Sequence, residues 1–129
     1  FGSIDLGADN ELITTPTNGN ISVTVIANGD YGLESKSGNW ANGSNTATLA
    51  TLDSLSSGQF NLENDGANSA TESAFVGTNY TTITDYSGIT VRTSETGDAK
   101  PVYVWVSLAE TGLLPGTYLG TYYAQIING

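Results

Sequence analysis

The chain has 129 residues, with Lys36, Arg92 and Lys100 as its only cations against 13 carboxylates, a formal charge of −10. It contains no His and no Cys, which excludes a Ser-His-Asp or Cys-His nucleophile, an imidazole or thiolate zinc site and a disulfide scaffold. So few cations argue against nucleic acid, whose phosphates are held by Lys and Arg, and equally against an anionic membrane surface.

Ser, Thr, Asn and Gly supply 59 of the residues, a mixture that suits strands and tight turns and is poor in helix formers. At the start of the chain, Ile4 and Leu6 share one face of an extended segment reaching to Thr15. Ile21, Val23, Val25 and Ala27 then alternate with polar residues and predict a strand. An Asn28-Gly29-Asp30 turn is expected to lead into a partner strand through Tyr31, Leu33 and Ser35, with Trp40 near its end. Further turns are marked at Asn18-Gly19, Asn42-Gly43, Asp65-Gly66 and Pro115-Gly116. Weaker strands are predicted over 46–50, 59–63, 80–85 and 88–93. The best-patterned strand covers Val102–Leu108, and a long final one runs from Thr117 to Ile127. No window offers an amphipathic helix, and no apolar run approaches the roughly 20 residues of a membrane span. The prediction is an all-β domain over residues 1–129: an Ig-like antiparallel β-sandwich of about seven to nine strands, with a jelly roll as the alternative. The opening at Phe1 rather than Met is read as processing or trimming, and the composition as extracellular.

The last two strands are apolar or aromatic on both faces. Val102, Val104, Val106 and Leu108 must point to the core, which sends Tyr103 and Trp105 to the other side. Tyr118 and Tyr122 likewise stand opposite Tyr123. Something is therefore expected to cover this aromatic face: a protein neighbour, a sugar ring, or local loops and cross-strand pairs of the same chain.

Asn61–Glu72 places oxygen side chains at positions 1, 3, 5, 9 and 12 of a twelve-residue frame with Gly66 at position 6, close to a calcium loop. Asn61, Glu63, Asp65 and Glu72 are its candidate ligands. Asn stands where Asp is usual at position 1, Glu63 is long for position 3, and Asn68 fills a normally apolar position. In so polar a chain a solvated loop is the simpler reading, and no cofactor is otherwise implied. Asn20, Asn42 and Asn79 head glycosylation sequons at the frequency composition alone predicts. No carboxylate pair is singled out for acid–base chemistry, so enzymatic activity is not expected.

Two stretches carry a resemblance. Phe1-Gly2-Ser3-Ile4-Asp5-Leu6-Gly7 resembles the opening strand of many secreted Ig-like sandwiches, and Leu114-Pro115-Gly116-Thr117-Tyr118-Leu119-Gly120-Thr121 is similar to their closing strand. Both occur together in pilus subunits of the spore-coat-U, archaic chaperone–usher type, and Val25–Ser37 also looks like a hairpin of that family. The resemblance covers about 25–30 residues and implies an extracellular filament subunit, polymerised with copies of itself by strand donation. In that family a donor extension, usually with a cysteine, precedes the opening motif; here the motif comes first. The donor is then trimmed, or is Phe1–Thr15, or is the final strand; alternatively Phe1–Thr15 is the first strand of its own domain. Candidate contacts are Phe1, Ile4 and Leu6, with Tyr103, Trp105, Tyr118 and Tyr122 as an aromatic face. The alternative function is a carbohydrate-binding or adhesion module stacking surface glycans on the same aromatics.

Overall fold

The computed structural model describes residues 11–12, 20–52, 54–63, 75–82, 86–90, 93–108 and 113–128. Among the described residues the regular elements are all strands: β1 (Glu11–Leu12), β2 (Asn20–Val25), β3 (Tyr31–Ser37), β4 (Trp40–Asn42), β5 (Asn45–Leu49), β6 (Gln59–Glu63), β7 (Thr81–Thr82), β8 (Asp98–Ser107) and β9 (Tyr122–Asn128). They form two sheets, one with β1 and β2 beside β8 and then β6, β5 and β4, the other in the order β7-β3-β9. The protein is an all-β sandwich.

Alternation explains the packing. Val102, Val104 and Val106 of β8, Phe60 and Leu62 of β6 and Val25 of β2 point inward and meet Tyr31 and Leu33 of β3 in one core. Each such side chain removed from water contributes about 1.5–3 kcal/mol. The Trp40 ring stacks on Phe60 with centroids 3.7 Å apart and closes the β4 end of that core. In β6, whose observed limits equal the predicted ones, Gln59, Asn61 and Glu63 take the opposite face by the same two-residue period.

The turns divide into two kinds. Asn42–Asn45 makes the predicted hairpin: the two residues pair, and Gly43 adopts φ 60, which an L side chain resists. Asn28-Gly29 does not. Strand β2 pairs with β8 and β3 pairs with β9 and β7, so this turn carries the chain from one sheet to the other instead of folding it back. A second demanding glycine is Gly97, at φ 88, where a Cβ would lie 3.0 Å from the Val25 carbonyl oxygen. It lets the turn before β8 pass close to β2.

Three further departures shape the surface. Among the strand ladders one is parallel: Thr48 stands opposite Gln59 and Leu49 opposite Phe60. A hairpin cannot join parallel strands, and the crossover connection passes the outer face of the larger sheet, where Ala50 and Leu55 meet Trp105 and the Leu52 carbonyl meets Asn61. The predicted strand over 88–93 contributes an isolated bridge between Ile89 and Tyr31, and that over 80–85 the short β7, with 83–85 and 91–92 outside the described residues. The final strand begins at Tyr122 rather than Thr117, because Leu119 first exchanges two backbone hydrogen bonds with Ala41 of β4, at 2.9 and 3.0 Å. This contact covers the outer edge of β4 before the chain enters the other sheet.

Candidate functional site

Strand β8 is flanked on both sides, and at Trp105 its outer face is covered by the chain itself. Trp105 is 7% exposed and packs with Ala50 and Leu55 of the crossover. Asn61, beside Trp105 in the ladder, donates from Nδ2 to the Leu52 carbonyl at 3.0 Å and holds the crossover down. Of the covers expected for the aromatic face, local segments of the same chain take Trp105: Ala50 and Leu55 pack on it. Tyr103 is half-buried in the same row. Tyr118 is half-buried against the core and donates its hydroxyl to the Leu114 carbonyl at 2.8 Å.

Tyr122 also faces inward, and its hydroxyl shares a 2.6 Å hydrogen bond with Ser35 Oγ. Burial raises its pKa above the ordinary 10.0, with the Ser35 hydrogen bond partly opposing the rise. The folded protein therefore keeps a proton that the unfolded chain releases. Stability from this group is intact below about pH 10 and declines above it. Denaturant titrations at neutral pH and above pH 10 should show a smaller alkaline loss in Tyr122→Phe, which gives up about 1 kcal/mol at neutral pH with the hydrogen bond.

Two of the four candidate ligands of the calcium-loop frame lie in the described residues. Asn61 and Glu63 belong to the extended strand β6, paired with Trp105 and Tyr103, and both are buried on its outer face. They begin from a ladder, not from a loop wrapped around an ion. Asp65 and Glu72 lie outside the described residues, as do Phe1, Ile4 and Leu6. Glu11 and Leu12 of the predicted donor segment pair with Val106 and Trp105 of β8, as part of their own sandwich. Of the sequons, Asn20 begins β2, Asn42 is half-buried at the β4–β5 hairpin, and Asn79 is exposed.

What remains open is β9. Tyr31 exchanges backbone hydrogen bonds with Ile89, and Ser37 N–H donates to the Gly77 carbonyl. Odd-numbered β3 residues thus point their backbone groups away from β9, and Gly32, Glu34 and Lys36 point theirs toward it. Their register partners are Ile127, Gln125 and Tyr123. The N–H and C=O groups of Tyr122, Ala124, Ile126 and Asn128 consequently project from the free edge, and among the described residues no strand pairs with them. Tyr123 is 48% and Ile126 54% exposed along this edge. Strand β9 carries no charged residue, although edge strands are commonly guarded by Lys, Pro or a bulge.

The face beside that edge holds a row that sequence alone did not single out. Lys36 Nζ lies 4.5 Å from the Tyr80 ring centroid and 5.2 Å from that of Tyr123. In the next row Gln125 Nε2 donates to Glu34 Oε2 at 2.7 Å. These cross-strand contacts fix the side chains of β9 against β3 while leaving its outer backbone uncovered.

Comparison with family models, curated proteins and solved structures finds no match to this chain. The geometry itself must carry the functional reading.

Proposed function

We propose that the protein is a structural subunit of an extracellular filament or pilus, its copies joined by β-strand addition at the final strand. The observation that carries this reading is the outer edge of β9, seven residues long and uncharged, with which no strand pairs among the described residues. A ladder of main-chain hydrogen bonds is the interaction such an edge offers, and an added strand satisfies it. The resemblance of the opening and closing segments to pilus subunits supports the same reading.

Proline provides the test. At Ile126 it removes an outward N–H and no internal ladder bond, so Ile126→Pro is expected to abolish polymers seen by electron microscopy and size exclusion while circular dichroism stays unchanged. Gln125→Pro, which removes an inward N–H, should instead destabilise the fold. Polymers persisting in a folded Ile126→Pro protein would reject β9 as the joint. The carbohydrate-binding alternative draws its support from exposed Tyr80 and Tyr123 rather than from Trp105. Retention of the monomeric Ile126→Pro protein on an immobilised polysaccharide would favour it.

A further inference from the structure

We propose that the strand added to β9 is β2 of a second copy, so that subunits join edge to edge and head to tail. This rests on the assembly reading above and names the partner surface that it requires.

Among the described residues, β1 and β7 being two residues each, β2 is the other strand of more than two residues with an open side. Its paired side is taken by β8, and among the described residues nothing pairs with its outer side. Alternate N–H and C=O groups of Asn20–Val25 therefore face outward, as they do on β9. The two edges match in length, six residues against seven. Both lack charge in a chain of formal charge −10. Two copies must approach against mutual repulsion, and these edges bring no like charges directly opposite one another.

Position decides between a closed pair and an open chain. In the larger sheet β2 lies at the end away from β4. The chain reaches β9 directly after Leu119 pairs with Ala41 of β4, and β9 takes the flank of β3 opposite to Ile89. The two open edges thus lie on opposite flanks of the sandwich. Pairing β9 with another β9 would close a two-fold dimer and leave both β2 edges bare. Pairing β9 with β2 repeats without closing, which generates a filament. The inner faces also agree: Ile21 and Val23 of β2 and Tyr122 and Ala124 of β9 already lean on the core, so the junction would continue one apolar layer from copy to copy.

The absence of native cysteine makes the joint directly testable. Ser22 and Gln125 are exposed on the two strands. The full chain carrying both Ser22→Cys and Gln125→Cys, assembled and treated with a short bis-maleimide, is expected to give a denaturing-gel ladder of dimers, trimers and higher species. Each single variant alone should stay monomeric on the gel, and an equimolar mixture of the two should stop at dimers. A dimer from Gln125→Cys alone, or polymers by microscopy without a ladder from the double variant, would overturn the β2–β9 joint and leave the assembly reading standing. Absence of polymers from the unsubstituted protein would overturn the assembly reading and this joint with it.

Discussion

Trp105→Ala is expected to lower the unfolding free energy by about 3–5 kcal/mol, the usual range for truncating a buried aromatic side chain. Trp105 is 7% exposed, in contact with Ala50 and Leu55, and its backbone is paired with Leu12 on one side and Asn61 on the other. Removing the indole leaves a gap under the crossover that the sheet below cannot fill, because its inward side chains are committed to the main core. The crossover can sink only by straining the Asn61–Leu52 hydrogen bond. A urea titration should therefore show the midpoint falling with little change in slope. A shift below about 1 kcal/mol, the scale of ordinary surface substitutions, would mean that the crossover does not pack on Trp105 and that this ring serves as an external anchor.

That contrast locates the limit of the sequence. The two-residue period of Val102–Leu108 identifies β8 and assigns Trp105 to the face away from the valines, as observed. Alternation cannot say what covers the second face. The cover, Ala50–Gly58, is mostly small and polar, with Leu52 and Leu55 too sparse to show a pattern. Turn chemistry has the same boundary. Asn42-Gly43 gives a hairpin because its neighbours pair locally, whereas Asn28-Gly29 bends the chain just as sharply and delivers it to another sheet. A bend is a property of a few residues; the partner is decided by burial across the whole domain. The candidate site is a stronger case still. Uncharged Tyr122–Asn128 is visible in the sequence, but its standing as an edge depends on strand order. In the row Tyr80, Lys36 and Tyr123, the β3–β9 register joins Lys36 to Tyr123, more than 80 positions apart, and Tyr80 comes from a third segment, which no local spacing announces.

Phe60→Ala carries the other large expected effect, again about 3–5 kcal/mol, and it bears on how the two sheets hold the open edge in place. Phe60 is fully buried on the inner face of β6, and its ring lies under Trp40 at 3.7 Å with planes 15° apart. Trp40 sits on β4, whose Ala41 is hydrogen-bonded to Leu119 immediately before the chain enters β9. Losing the phenyl ring therefore removes the support beneath β4 and loosens the bridge that precedes β9, in addition to opening a cavity in the core. Two readouts separate the terms. Denaturant unfolding should report the full loss of stability. Amide exchange under native conditions should speed up at Ala41 and Leu119, whose N–H groups form the bridge, before it does at Val104 in the centre of β8. Equal protection loss at all three would mean that the sandwich opens as one unit. The stacked pair would then stabilise the core without specially bracing the strand on which the proposed assembly depends.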